Sequence, residues 1–589
     1  MLRSALSPLE RWILVTIGVL TALIILVLVW GDQTVPRVRS FNWDNQVVGV
    51  QDRGLILTFN RPMDRKSVED NLAIAPPLKG KFSWAGRRMA YTLEDPIPYG
   101  QTFTVSLAQA QDQFKQRSIP PESPFSSQFK SRDQAFVYLG IGEEEHQLIL
   151  YNLTRQEKQI LTPKDLVVVD FEPYPDSDRI LFSATDRVQY DQGNFDLQIY
   201  SVTTGIDYQQ GLKTTESKPS TQDTSGGQVK LLIPSDEYQN LKFDLSPDGK
   251  TIVVQRANKK NPGVDFGLWI LREGKVLEPL KTEPGGDFLI TPDSKSMIMA
   301  QGQGLAVLPL ESEAEPLDFL PQFGRVMALS PDGRQAAMVR FNTDYTRSLF
   351  LVTNQGKPKE LWRTNGSILK VIFSPDRRIL YCLGSQLLPG DTYVEEPFFL
   401  AIDLMAAAES LNSDNSESST SGNTTSGNTT SGNTPIDNTA NTTPENPNSE
   451  TADLAQVGTE NPNLDPNANP NPNPNLTPNS EVNPEETIAL ESTDSTEEPL
   501  PADAIAPLLK LPIQRNIAMS LSPDGIALLF DQVQQTDQNV PPSTAQSKSI
   551  DNARLWVLPL IPDRFETQNK TLPNPEVLPL PGLNPQWLP

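Results

Sequence analysis

Along most of the chain, apolar and polar residues alternate in short runs between turn signals, the period of half-buried strands. Gly54-Leu55-Ile56-Leu57-Thr58-Phe59 and Gln101-Thr102-Phe103-Thr104-Val105-Ser106-Leu107 are two such runs near the beginning. Further on come Thr251-Ile252-Val253-Val254, Gly267-Leu268-Trp269-Ile270-Leu271, Ser348-Leu349-Phe350-Leu351-Val352 and Ile379-Leu380-Tyr381-Cys382. This pattern predicts an all-β protein. One segment breaks it. Trp12 to Trp30 holds 19 residues without a charge, 13 of them Ile, Leu or Val.

As a helix that segment would span about 28 Å, close to the hydrocarbon thickness of a bilayer. Trp12 and Trp30 stand at its two ends, where indoles favour the interface. The run exceeds the usual signal-peptide core, and the residues after it offer no small-x-small cleavage site. The expectation is an uncleaved single-pass anchor over 12–30, after a short cytoplasmic tail over 1–11 and before a linker over 31–45. Arg3 and Arg11 on one side balance Arg37 and Arg39 on the other, so flanking charge does not orient it.

The strongest internal signal is a repeated Pro-Asp between two apolar strands. It occurs at Pro175, Pro247, Pro292, Pro331, Pro375 and Pro523, at intervals of 72, 45, 39, 44 and 148 residues. Three copies read Ser-Pro-Asp-Gly: Ser246 to Gly249, Ser330 to Gly333 and Ser522 to Gly525. Pro sets the first central position of the turn, Asp suits the second, and Gly takes the positive-φ position after it. Four strands follow one another per interval, the make-up of a propeller blade. The copies around Tyr174, Thr291 with Ser294, and Arg377 depart from the motif and leave individual blade boundaries open.

These repeats resemble the TolB-like, WD-repeat-related β-propellers, over about 135–589 without the insertions. Two fragments lack partners. Ala135–Leu139 and its successors supply second, third and fourth strands without a first, and 583–589 looks like a first strand without the rest. Pairing the two would close a ring and remove both sheet edges. The expectation is seven blades, with six or eight as alternatives. Between anchor and repeats, 46–130 resembles the SbsA-type bacterial Ig-like domain: Phe59, Pro62, Met63 and Asp64 meet its Phe-x-x-Pro-Met-Asp segment. Pro76 or Pro77, Gly80 and Trp84 follow, and Pro98-Tyr99-Gly100-Gln101 approximates its turn with one residue fewer. That resemblance implies an extracytoplasmic β-sandwich used as a spacer, with no catalytic residues to carry over.

Charge changes the picture once. The net charge is −24, yet between Met405 and Ile505 there are 17 acidic residues and no Lys or Arg. The remainder carries about −7, with no basic footprint for nucleic acid. The tract 405–504 is low in complexity, with Ser-Gly-Asn-Thr and Asn-Pro repeats, and is expected to be a disordered insertion dividing the propeller into 135–404 and 505–589. A shorter Ser, Thr and Gly-rich insertion spans about 203–228.

One Cys and one His narrow the chemistry. Zinc sites built on several His or Cys are excluded, and any Ser-His-Asp triad has to use His146. His146 follows Glu143-Glu144-Glu145, a position where carboxylates raise an imidazole pKa, or simply a solvated hairpin. Cys382 reads as buried packing. The Pro-Asp aspartates are explained by their turns, and Asp176-Ser177-Asp178 is too short for a calcium loop. There is no Gly-x-Ser-x-Gly elbow. The expected catalytic, cofactor and metal residues are therefore none. The expected role is a non-enzymatic protein- or glycan-binding scaffold, single-pass in the bacterial plasma membrane with its bulk extracytoplasmic. The alternative is a carbohydrate-active enzyme using paired carboxylates at the propeller channel.

Overall fold

The computed structural model describes residues 8–30, 35–50, 52–114, 117–208, 225–302, 304–310, 318–353, 357–390, 392–407, 504–514, 516–533, 552–560 and 574–589. Most of the expected insertion, 408–503, lies outside the described residues, as does 209–224 of the shorter one. The helix Pro8–Trp30 forms, with its side chains described from 12 to 25. Among the described residues no helix is long and apolar enough to cross a membrane.

Two four-stranded sheets over Val38–Ser131 pack face to face. One runs in the order Val38–Phe41, Gly54–Phe59, Arg88–Leu93, Gly80–Ala85; the other Val47–Val48, Phe125–Ser131, Thr102–Leu107, Leu72–Ala75. Alternation decides which side chains enter the shared core. Leu55, Leu57 and Phe59 meet Phe103, Val105 and Phe129 there, all fully buried. In the Phe-x-x-Pro-Met-Asp segment, Phe59 and Met63 join that core. Asp64 caps the short helix Arg65–Asn71 by accepting from Ser67 N at 2.8 Å.

The rest of the described chain forms seven four-stranded antiparallel sheets. Six follow in sequence order: Leu166–Ile233, Tyr238–Leu280, Phe288–Leu320, Arg325–Thr364, Ile368–Lys510 and Met519–Pro581. The remaining one, counted here as the first, joins Ala135–Leu139, Leu148–Asn152 and Glu157–Ile160 to the distant strand Leu583–Trp587. In the sixth sheet Glu395–Asp403 pairs directly with Ile505–Lys510 across the insertion.

Each sheet buries one face against the preceding sheet and the other against the next. Phe182 of the second sheet packs with Val137 of the first, while Leu181 packs with Phe243 of the third. The same alternation continues through Met297 and Ile298 of the fourth sheet and Leu380 and Tyr381 of the sixth. It closes where Leu529 and Leu555 of the seventh meet Phe136 and Trp587 of the first. A ring of sheets, each sandwiched between two others, is a β-propeller.

The turns repeat one piece of chemistry. Ser246 Oγ donates to Asp248 Oδ1 at 2.6 Å, Asp248 Oδ1 accepts from Lys250 N at 3.1 Å, and Gly249 sits at φ 71°. Ser177, Ser294 and Arg377 occupy the glycine position at φ 58°, 59° and 64°, so the departures from the motif keep its geometry. Asp293 and Asp332 are held below the usual carboxylate range, first by the hydroxyls of Thr291 and Ser330. Neighbouring turns touch: Asp248 N donates to Ser294 Oγ at 3.2 Å, Arg377 pairs with Asp332, and Ser177 Oγ donates to Pro589 O at 3.1 Å. All turns between first and second strands therefore share one face of the ring, and the loops between second and third strands share the other.

Candidate functional site

The first strands of the sheets lie at the inner edge of the ring, because their side chains reach from one first strand to the next. Glu172 Oε2 accepts from Leu245 N at 3.0 Å, Asp244 Oδ2 from Ile290 N at 2.7 Å, and Ser520 Oγ from Trp587 N at 3.0 Å. Gln586 Nε2 donates to Phe171 O at 3.0 Å. These four acceptors and donors share one register position, three residues before the turn proline (or before Pro589).

Five residues before the proline stands a second tier: Asp170, Lys242, Asp287, Val326, Lys370, Ala518 and Asn584. In four sheets the first strand bulges just ahead of it or at it, between Val168 and Asp170, Asn240 and Lys242, Val326 and Ala328, and Ile368 and Lys370. A bulge points two successive side chains the same way. Val169, Leu241 and Leu369 are thereby 42%, 44% and 43% exposed, an aliphatic girdle beside the charged tier.

Burial dominates the electrostatics. It raises Glu172 well above its ordinary value, helped by the negative charge of Asp244. Asp244 and Asp531 are both pushed up to about 6, by burial first. Asp531 accepts from Ala518 N and Asn584 N at 2.8 Å each, joining the seventh sheet to the first. Burial also raises Asp170 and lowers Lys370. Asp287 is the exception: burial opposes its ionisation, but Lys242 and Arg325 outweigh that and hold it low. Lys242 pairs with it directly, and Arg325 Nε donates to it at 3.2 Å.

The channel thus holds carboxylates whose ionisation burial opposes, the direction of shift that a general acid needs. Three of them, Glu172, Asp244 and Asp531, are also hydrogen-bonded to the backbone of a neighbouring first strand. In the seventh sheet the hydroxyl of Ser520 does the same, so the position serves ring assembly without a carboxylate.

His146 lies away from this channel, in the loop between second and third strands of the first sheet, at φ 62°. Burial lowers its pKa, against the pull of Glu145, the reverse of an imidazole kept charged by carboxylates. Its Nε2 is 3.4 Å from Tyr190 Oη. Cys382 is buried and its thiol pushed up by that burial. Asp176 and Asp178 stay in their turn, and among the described residues no group of His, Cys, Asp or Glu could hold a metal. The channel residues escaped the sequence reading, although counting back five and three positions from each proline finds them.

The sandwich abuts the turn face. Arg132 Nη1 donates to Pro589 O at 3.1 Å and its guanidinium stacks 4.3 Å over Tyr208, whose phenol burial pushes up to about 12. Asn152 Nδ2 donates to Asp133 at 3.2 Å, and Tyr99 faces Asp524. A cavity of about 300 Å³ remains between them, lined by Tyr99, Arg132, Pro175, Pro523 and Trp587 among others.

No family model matches the chain, and no curated protein matches it. Among solved structures it is similar to TolB from Acinetobacter baumannii, at 13% identity and a TM-score of 0.32 over 56% of this chain and 77% of that one. It is also similar to oligogalacturonate lyase from Vibrio parahaemolyticus, at 11% identity and 0.31, over 52% and 85%. An oligogalacturonate lyase in complex with manganese gives 12% and 0.31, over 60% and 94%. Likeness at this level is of fold alone. The strand order and the cyclic packing carry the propeller assignment.

Proposed function

We propose that the chain is a non-enzymatic binding scaffold of the bacterial envelope, with an N-terminal anchor in the plasma membrane, an Ig-like spacer and a seven-bladed, TolB-like propeller outside the cytoplasm. The observation that carries the binding role is the difference between the two propeller faces. The turn face is met by the sandwich. Among the described residues, the other face presents large side chains on the same loop of four sheets: Phe195, Val264, Tyr345 and Tyr393, at 52%, 92%, 91% and 70% exposure. Tyr345 and Val264 are more than nine-tenths exposed. Aromatic and aliphatic residues held out in this way are the usual anchors of an interface.

The anchor is read from the sequence, from the 19 uncharged residues Trp12 to Trp30. Trp12, Leu14, Val15, Ile17 and Leu20 leave half or more of their surface uncovered, on every side of the helix. Apolar residues all round a helix require a lipid or protein surround.

The enzyme reading keeps one specific observation: Glu172 and Asp244 are enclosed, close enough to influence each other, and both hold protons more tightly than free carboxylates. Their use as backbone acceptors weighs for the scaffold. The deciding experiment is crosslinking and recovery of tagged full-length protein from membranes, beside a Tyr345→Ala/Tyr393→Ala variant. A defined envelope partner that the double variant loses supports the scaffold. The same recovery from both proteins, or none, overturns it.

A further inference from the structure

The sandwich and the propeller leave a cavity of about 300 Å³ where the ring closes, flanked by the turn prolines Pro175 and Pro523. Val50, Leu588 and the indole of Trp587 add to its apolar walls. Its polar groups are unevenly served. The Asp133 carboxylate accepts from Asn152 Nδ2 at 3.2 Å and pairs with Arg155 at 2.6 Å and Lys130 at 3.5 Å. Asp52 Oδ2 accepts from Gly49 N at 3.0 Å. The groups left over are donors: among the described residues, Arg132 Nε and Trp587 Nε1 are enclosed and have no partner.

Arg132 is held so that one edge of its guanidinium is on offer. The group lies 4.3 Å over the Tyr208 ring, and Nη1 donates at 3.1 Å to Pro589 O, which also accepts from Ser177 Oγ. That leaves the Nε–Nη2 edge, whose two parallel N–H bonds match the two oxygens of a carboxylate. Gly49 stands beside it. A Cβ there would lie 3.5 Å from Arg132 Nε and 3.3 Å from Asp52 Oδ2, so the missing side chain leaves a gap against the free edge. An enclosed charged donor without an acceptor costs more than a neutral one, and the apolar walls supply no acceptor.

We infer that this cavity binds a small organic acid, its carboxylate on the Nε–Nη2 edge of Arg132 and its apolar body against Trp587 and the turn prolines. The volume falls at the small end of the range for ligand sites. The apolar walls favour a carboxylic acid over inorganic phosphate, which has no apolar body. The site lies on the turn face and goes beyond the scaffold reading, which concerns the opposite face.

Isothermal titration calorimetry on the full chain in detergent tests it with benzoate, phenylacetate and hexanoate. Benzamide serves as the neutral counterpart and inorganic phosphate as the second oxyanion. The expected result is binding of at least one of the three acids, with benzamide and phosphate weaker by about tenfold or more. Arg132→Lys keeps the charge but loses the paired N–H edge, and should weaken the acid about tenfold or more. Gly49→Ala fills the gap with a methyl and should weaken it similarly while leaving the contacts of Arg132 in place. Its backbone is not left-handed and the methyl would meet no atom closer than 3.3 Å, so its circular-dichroism melt should match wild type. Tyr345→Ala/Tyr393→Ala should bind the acid normally, which separates this site from the open face. No binding of any acid, or binding that either Arg132→Lys or Gly49→Ala leaves unchanged, would overturn the inference. So would equal binding of benzamide, or binding of phosphate alone.

Discussion

Glu172 accepts the backbone N–H of Leu245 at 3.0 Å, across the junction of the second and third sheets. The bond ties two first strands that share no β-ladder. Asp244 repeats it toward Ile290, and Ser520 toward Trp587. Adjacent sheets of the ring are thus held by apolar faces and by a polar clasp at the channel.

Removing a clasp should cost what an unsatisfied enclosed N–H costs, about 1–3 kcal/mol. Glu172→Ala is expected to melt below wild type. Glu172→Gln keeps an acceptor oxygen and loses the repulsion from Asp244, so it should melt at or above wild type. Equal melting of the two variants in circular dichroism would refute the clasp.

Asp244 and Asp531 have folded pKa values raised to about 6. The folded state therefore binds protons more tightly than the unfolded one, where aspartate titrates near 4. Both groups disfavour the folded state above pH 6, and that penalty is relieved as pH falls from about 6 to about 4. Melting temperature should rise on acidification from pH 7.5 to 5, and the rise should shrink in Asp244→Asn, whose amide oxygen still accepts from Ile290. A flat or falling profile in the wild type would contradict the assignment.

The ring closes through Trp587, which is 5% exposed and packs edge-on to Phe136 with centroids 5.4 Å apart. Trp587→Ala should cost about 3–5 kcal/mol, as large-to-small changes in a packed core do. Proteolysis should then release the C-terminal strand before the rest of the propeller unfolds. Simultaneous cleavage throughout would argue against closure by this strand.

Gly525 and Gly333 hold the same turn position at φ 77° and 68°, but a Cβ on Gly525 would lie 2.8 Å from Pro375 Cδ, against 3.9 Å from Pro292 Cδ for Gly333. Gly333→Ala should cost about 1–2 kcal/mol for the left-handed backbone alone. Gly525→Ala should cost more, because the neighbouring turn must also shift. The order of the two melting temperatures checks this.

An outward propeller places Tyr345 outside the membrane. In spheroplasts, Tyr345→Cys should react with a membrane-impermeant maleimide while the wild type does not, since Cys382 is 1% exposed. Labelling only after lysis would reverse the orientation.

The strand period, the six Pro-Asp turns and the orphan strand at 583–589 are local or repeated features, and they were legible as an all-β ring. The channel was not. Glu172, Asp244 and Lys370 stand in apolar runs as single polar residues among many, and only alignment on the turn proline gives them a common position. His146, conspicuous as the one histidine, sits outside the channel with its pKa lowered by burial.

The sequence by itself determined the turns, because Pro, Asp and a positive-φ residue fix the backbone over a few positions without help from the rest of the chain. It also determined which side chains alternate toward a neighbouring sheet. Tertiary structure decided which neighbour that is, and which polar residues meet. Asp170 and Lys370 are two hundred positions apart in sequence and share one channel only because the ring closes. Their protonation depends on burial and on charges delivered by other sheets, and no local pattern records either.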